Sequence, residues 1–183
     1  MRAPTRDQEF LTFVRERRTE LVRTAVLLTA GDRDLAEDLT QTTLTALYVR
    51  WPASRQARNP AAYVRRCLVN ALIDEKRRPW RREQAMEELP ADVALSTHLP
   101  FDQVAPDHRT EALYAALREL PPRQRAVLVL RYFHDLSVEE TAEAMSCSGG
   151  TVKSQAKRAL DKLRERMTQH LSPALTQNGA FHA

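Results

Sequence analysis

Apolar residues recur at helical spacing along this chain. The first clear case is "GDRDLAEDLTQTTLTALYVRW", residues 31 to 51. One side of this stretch carries Leu35, Ala36, Leu39, Thr43, Ala46 and Leu47. Asp38, Gln41 and Thr45 line the opposite side. The pattern predicts an amphipathic helix, and its acidic outer face suits a protein partner better than a polyanion.

A second amphipathic helix is predicted over "NPAAYVRRCLVNALIDEKRR", residues 59 to 78, with Asn59 before Pro60 as its start. The residues expected to pack inward are Ala62, Leu68, Val69, Leu72 and Ile73. Its cations are Arg65, Arg66, Lys76, Arg77 and Arg78, and the aromatic residues Tyr48, Trp51, Tyr63 and Trp80 flank it. Aromatic rings beside cations suit unstacked single-stranded bases, although each aromatic residue taken alone is more often part of a core.

Helical spacing resumes in "TEALYAALREL" and "PPRQRAVLVLRYF", and the two prolines between them are expected to open a helix. In "SVEETAEAM", Ser137 and Glu140 have the spacing of a capping box. A short turn follows, and Ser148 is positioned to cap the next helix. These signals predict two short helices joined by a tight turn.

The helix after Ser148 has an apolar side and a cationic side. Its apolar arc comprises Val152, Ala156, Ala159, Leu160, Leu163 and Met167. Opposite them lie Thr151, Ser154, Lys157 and Arg158, with Lys153 at the edge. This arrangement predicts a helix-turn-helix with a DNA-recognition helix. Gly149 and Gly150 would let backbone amides approach DNA phosphates. The alternative is a solvated amphipathic helix that binds no ligand.

Between the two helical regions, residues 83 to 111 contain seven acidic residues, one arginine and three prolines. Such a segment is typical of a linker. We therefore predict an all-α fold of two small helical domains, the second a four-helix helix-turn-helix domain. The expected boundaries are a first domain at 10–82, an acidic, Pro-containing linker at 83–107, a second domain at 108–171 and a disordered tail at 172–183.

Composition narrows the function further. The net charge of +4 and a pI near 9.4 permit binding to a polyanion. Cys67 and Cys147 lack a second pair for a zinc site, so we expect reduced thiols and no metal. The five histidines lie mostly in the linker or tail, and no HExxH motif occurs. No apolar run is long enough for membrane insertion, and no signal-peptide core precedes the first domain. We therefore expect a cytoplasmic binding protein without a cofactor or a catalytic site.

Three stretches together resemble a bacterial extracytoplasmic-function sigma factor of the sigma-E-like group common in actinobacteria. They are "LAEDLTQTTLTALYVRW", "AYVRRCLVNALIDEKRR" and "LPPRQRAVLVLRYFHDLSVEETAEAMSCSGGTVKSQAKRAL". The resemblance covers roughly residues 10 to 170, in the family's order and with a linker between. It implies a protein that binds core RNA polymerase and recognises a promoter at its −10 and −35 elements. It also implies a linker that enters the polymerase channel, and an anti-sigma factor as a possible further partner.

The resemblance assigns roles residue by residue. Asp38 and Gln41 match the pair that grips the polymerase clamp helices, and Thr42 stands where an acidic residue often follows. The −10 element would be contacted by Trp51, Arg55, Asn59, Tyr63, Arg66, Asn70 and Arg77. The −35 element would be contacted by Gly150, Thr151, Lys153, Ser154, Lys157 and Arg158. Two positions depart from the family pattern: Ser146 replaces the usual glycine of the turn, and Gly149 replaces a frequent glutamate.

Two other hypotheses remain open at this point. A dimeric transcription activator could carry the same kind of helix-turn-helix. An enzyme is a distinct class, for which the sequence contains no recognisable catalytic constellation. Binding to core RNA polymerase without a second sigma factor would separate the first alternative from a sigma factor.

Overall fold

The computed structural model describes residues 5–51, 59–75 and 107–177, and all regular structure in these ranges is helical. The chain divides into two compact units, residues 1–102 and 103–183. The first unit contains α1 (Arg6–Leu28), α2 (Arg33–Val49) and α3 (Pro60–Glu75). The second contains α4 (His108–Arg118), α5 (Pro122–Leu128), α6 (Val138–Ala144) and α7 (Gly149–Gln177). A π-helical turn, Val129–Phe133, continues α5.

Short polar side chains begin the helices of the first unit. Thr5 and Gln8 form a reciprocal capping box at the start of α1. Asp32 accepts a hydrogen bond from the backbone N–H of Leu35 at the start of α2. Asn59 accepts one from the N–H of Ala62 at 3.0 Å, which makes it the cap of α3. The predicted start of this helix is therefore at the right residue.

An aromatic cluster forms the core of the first unit where α1 meets α2. Phe10 is fully buried, and its ring packs edge-on against Tyr48 and Trp51 with centroid distances of 5.1 Å for both. The inner residues of α2 are Ala36, Leu39, Thr40, Thr43, Leu44 and Leu47. Ala46, which the periodicity placed on the inner face, is exposed, and Leu35 is half-buried. The buried arc includes Thr43 and Leu47, and α2 packs against both α1 and α3.

The two helices α1 and α2 are joined by a tight turn. Ala30 has a φ of 56° and Gly31 a φ of 83°, both in the left-handed region. The N–H of Gly31 donates to the carbonyl of Val26, and the N–H of Ala30 donates to that of Leu27. This is a Schellman motif, which satisfies carbonyls that the end of α1 would otherwise leave without partners.

In the second unit, α4 to α6 pack against the long helix α7. Leu130, Val152 and Ala159 are fully buried at the centre of this unit. Asp107 caps α4, and hydrogen bonds from Thr110 hold the pKa of this carboxyl below its usual range. The last helix continues through Pro173 to Gln177, past residue 171, where the second domain was predicted to end. Residues 178–183 lie outside the described part of the chain. None of the described helices is both long and apolar enough to cross a bilayer.

Candidate polymerase and promoter interfaces

The outward face of α2 carries the three residues predicted to bind core polymerase, Asp38, Gln41 and Thr42, which we call the docking face. Asp38 and Thr42 are exposed, one helical turn apart, and Gln41 is half-buried beside them. The side-chain oxygen of Gln41 has no hydrogen-bond partner among the described residues. The exposed stripe runs on to Val49, whose side chain is 54% exposed. The helix thus presents a polar surface with an apolar end.

Four of the residues predicted to contact the −10 element lie along one stripe of α3, and we call this stripe the −10 face. It comprises Asn59, Tyr63, Arg66 and Asn70, spaced by three or four residues. Arg66 and Asn70 are exposed, whereas Tyr63 is half-buried and packs against the aromatic core. Asn59 is engaged in capping the helix. Arg55 and Arg77 lie outside the described residues.

Trp51 does not belong to the −10 face. Its side chain is only 6% exposed, and its ring packs against Phe13 at 5.0 Å and edge-on against Phe10 at 5.1 Å. The resemblance assigned Trp51 to the −10 element; its ring is buried in the core, and a contact with promoter bases stays a prediction. An indole placed among aromatic rings at the end of α2 contributes to the core through its large apolar area.

The α6–turn–α7 segment is built by local hydrogen bonds. Ser137 and Glu140 form the predicted capping box at the start of α6. At its end, the N–H of Cys147 donates to the Ala142 carbonyl at 3.0 Å and the N–H of Ser146 donates to that of Glu143 at 3.2 Å. This is a second Schellman motif, and Ser146 occupies its left-handed position with a φ of 50°. Glycine is favoured at this position because it adopts a positive φ without the steric cost of a Cβ.

The two glycines at the start of α7, Gly149 and Gly150, have different surroundings. Ser148 accepts a hydrogen bond from the N–H of Thr151 at 3.1 Å and so caps the helix as predicted. Gly149 is half-buried, and a Cβ built on it would lie 3.3 Å from Cγ1 of Val138 in α6. Gly150 is exposed, with only Ser148 Oγ nearby at 3.8 Å. Gly149 therefore serves helix packing, and close approach to a phosphate can be argued only for Gly150.

The residues predicted to contact the −35 element form the outer face of α7, and we call them the recognition face. Gly150, Lys153, Ser154, Lys157 and Arg158 are exposed, and Thr151 is half-buried. Val152 and Ala159 on the opposite side are fully buried, and the other residues of the predicted apolar arc are half-buried. Ser154 Oγ donates to the Thr151 carbonyl at 3.0 Å. The exposed cations thus lie on a helix whose opposite side is packed into the core of the second unit.

Two side-chain clusters had no counterpart in the sequence patterns. Arg6 lies over the Tyr48 ring at 4.5 Å and donates to the carbonyls of Tyr48 and Val49, while Tyr48 Oη donates to Asp7 at 2.7 Å. This contact ties the first turn of α1 to the end of α2. The second cluster surrounds Glu119. The only sequence signal that could have indicated this cluster is the four-residue spacing of Lys162, Arg166 and His170 along α7.

Both cysteines are half-buried and unbridged. Burial raises the pKa of the Cys67 thiol, so the reactive thiolate is disfavoured.

Comparison with known proteins identifies the family. Residues 13–82 match the family described as Sigma-70 region 2, and residues 110–163 match Sigma-70, region 4. The chain is 39% identical over 160 residues to an RNA polymerase sigma-E factor of Streptomyces coelicolor, covering 87% of this chain and 86% of the relative. It is 34% identical to the ECF RNA polymerase sigma factor SigE of Mycolicibacterium smegmatis, covering 87% of this chain and 62% of that protein.

A solved structure agrees with this match. It is the sigma factor RpoE in complex with the anti-sigma factor NepR from Bartonella quintana, with a TM-score of 0.64 and 25% sequence identity. The alignment covers 87% of this chain and 97% of that one. These matches favour the predicted sigma factor over a dimeric activator. The chain belongs to the extracytoplasmic-function group of sigma-70 factors, which bind core RNA polymerase and direct it to promoters.

Proposed function

We propose that this sigma factor binds core RNA polymerase through the docking face of α2. The observation that carries this proposal is the position of Asp38, Gln41 and Thr42 on the outer side of a helix whose inner side is fully packed. Asp38 and Thr42 are exposed there and accessible to groups on the polymerase, whereas the side-chain oxygen of Gln41 is buried without a partner among the described residues. Val49 would add apolar contact at the end of the same surface.

The experiment compares wild type with Asp38→Ala/Gln41→Ala by co-elution with purified core polymerase and by run-off transcription. Wild type should initiate transcription with no other factor present. Truncating two groups that become buried at an interface is expected to cost about 2 kcal/mol or more, roughly thirtyfold in Kd. Glu16→Ala, which removes an exposed carboxylate from α1, is the matched control.

Circular dichroism should show the same helical content for all three proteins, because Asp38 and Glu16 are exposed and truncating Gln41 removes a buried oxygen that has no hydrogen-bond partner among the described residues. A double variant that binds and transcribes like wild type would place the polymerase contact elsewhere on the chain. A wild-type chain that fails to bind core polymerase would overturn the proposal altogether.

We further propose that the −10 face and the recognition face divide promoter recognition between the two units. Asn70 and Arg66 are exposed side by side on α3, where they can meet bases that leave the stack. The cations of the recognition face lie on the first turns of α7, the part of a recognition helix that enters the major groove. The domain limits 10–82 and 108–171 remain proposals, and the linker at 83–107 lies outside the described residues except for Asp107, the cap of α4.

An anti-sigma factor is a further proposed partner. The related Bartonella quintana sigma factor was solved in complex with one. An inhibitor of this kind would act by covering the docking face and the recognition face. We also propose that the protein works in the cytoplasm, where polymerase and promoter DNA are found, and that it acts by binding and has no catalytic centre.

A further inference from the structure

Three basic side chains of α7 converge on one residue of α4. Lys162 Nζ donates to the Glu119 carbonyl oxygen at 2.7 Å. Arg166 Nε lies 2.8 Å from Glu119 Oε2, and His170 Nε2 lies 3.0 Å from Oε1. The three residues are spaced by four, so they form one stripe along α7. We call these four residues the Glu119 cluster.

The cluster combines two electrostatic effects. Glu119 is the C-terminal cap of α4, where the helix dipole leaves partial negative charge that favours nearby cations. Both carboxylate oxygens and the carbonyl oxygen of Glu119 have a basic partner. The side chains are partly exposed, so each pair alone is weak. Several contacts shared by one residue form a network, in which the loss of one member affects the others.

The α7 residues of the cluster begin one turn after Arg158 and occupy the middle of the helix, which continues to Gln177. Val152 and Ala159, which are fully buried, hold the first half of the helix. Beyond Ala159, the apolar residues that face inward are only half-buried. Ser154 and Arg166 are about 18 Å apart along the helix axis, and a tilt of about 5° over that length moves one end by about 1.5 Å.

We propose that Glu119 is a positioning residue for −35 recognition. By holding Lys162, Arg166 and His170 at the end of α4, it sets the angle of α7 and hence the position of the recognition face relative to the major groove. Base-specific hydrogen bonds depend on placement to within about 0.5 Å, whereas contacts to phosphates tolerate larger shifts. This inference rests on the proposed −35 role of α7.

The test measures sequence discrimination by reconstituted holoenzyme containing the full chain. Affinity is determined for a promoter fragment with its own −35 element and for the same fragment with that element scrambled. Glu119→Gln keeps the side-chain size and removes the charge. Its ratio of the two affinities should fall about fivefold, which is about 1 kcal/mol. Affinity for the scrambled fragment should stay the same, because phosphate contacts remain.

Variants of Arg166 separate positioning from simple support of the fold. Arg166→Ala should lower the ratio to a similar extent, and Arg166→Lys should restore most of it because a cation again faces Glu119. In the double variant Glu119→Gln/Arg166→Ala the loss should be no larger than in either single variant, since both act through one contact. Glu165→Gln, an exposed carboxylate beside Arg166, is the control and should behave as wild type.

The triple variant Lys153→Ala/Lys157→Ala/Arg158→Ala distinguishes the two possible failures. If it loses discrimination while Glu119→Gln and Arg166→Ala both keep a ratio within twofold of wild type, the positioning role is wrong. If the triple variant itself keeps wild-type discrimination, the proposed −35 role falls, and the positioning role falls with it. Should Glu119→Gln lose helical circular dichroism, Arg166→Ala, which leaves Glu119 in place, decides the question.

Discussion

Gly149 and Val138 face each other across the turn of the helix-turn-helix, and a Cβ on Gly149 would lie 3.3 Å from Cγ1 of Val138. Such a separation is tighter than ordinary van der Waals contact, so α6 would have to yield slightly to a larger residue. One residue further on, a Cβ on Gly150 would meet only Ser148 Oγ, at an ordinary contact distance of 3.8 Å. Two adjacent glycines therefore meet different steric constraints.

Replacing each glycine by alanine should separate packing from helix propensity. Gly150→Ala should stabilise the chain by up to about 1 kcal/mol, because alanine is the better helix former and its Cβ would make only an ordinary contact with Ser148 Oγ. Gly149→Ala should gain less or lose stability, because its Cβ presses on Val138. Thermal unfolding followed by circular dichroism compares the two. Equal shifts in melting temperature would contradict the contact. Promoter binding should weaken in Gly150→Ala if its amide approaches a phosphate.

Ser146→Gly should stabilise the second unit. Ser146 has a φ of 50°, a conformation that costs an L-residue roughly 1–2 kcal/mol and glycine much less. Part of this gain is offset by the greater freedom of glycine in the unfolded chain, which leaves about 0.5–1 kcal/mol. Ser146→Ala retains the Cβ and serves as the control, for which no gain is expected. A gain of the same size in both variants would attribute the effect to the hydroxyl group.

Trp51→Ala should destabilise the first unit by about 3–5 kcal/mol, the range for large aromatic residues removed from a core. Trp51→Phe should lose much less, because an aromatic ring remains against Phe10 and Phe13. Chemical denaturation followed by circular dichroism measures both. A Trp51→Ala protein with unchanged stability but poor promoter opening would restore Trp51 to the −10 contacts.

Asn70→Ala should fold and bind core polymerase normally, because Asn70 is exposed on α3 and lies outside the docking face. It should open a duplex promoter poorly if Asn70 captures an unstacked base. A template already unpaired around the start site should partly rescue it, since the energy of unstacking has been removed. Permanganate footprinting of both templates measures opening. Wild-type opening of the duplex by Asn70→Ala would show that another residue captures the base.

Arg158→Ala distinguishes base contact from phosphate contact on the recognition face. If Arg158 contacts a base, its removal should cost about 1–3 kcal/mol at the cognate promoter and relax preference at one −35 position. If it contacts a phosphate, all sequences should weaken alike and the salt dependence of binding should fall by about one unit. Binding isotherms at several salt concentrations separate the cases. If holoenzyme with Lys153, Lys157 and Arg158 all replaced by alanine binds the promoter as wild type does, the assignment of the recognition face to the −35 element is wrong.

Much of the second unit could be predicted from local sequence. The capping box of Ser137 and Glu140, the cap at Ser148 and the exposed cations of α7 all appear where the spacing places them. These features depend on residues three or four apart, which a helix brings together whatever surrounds it. The resemblance to sigma factors, confirmed by the family comparisons, added the function that periodicity alone could not supply.

The sequence by itself determined α2, α3, the helix-turn-helix with its caps at Ser137 and Ser148, and the family, because each is encoded in short-range order or in recognisable motifs. The helix α1 and its cap at Thr5 were not predicted. Only the tertiary structure decided the limits of the buried side of α2, where Leu44 is buried and Ala46 is exposed. It also placed Trp51 in the core, Gly149 against Val138 and three basic side chains of α7 on Glu119. These contacts join residues distant in the chain, and they depend on how helices pack, which spacing along one helix does not contain.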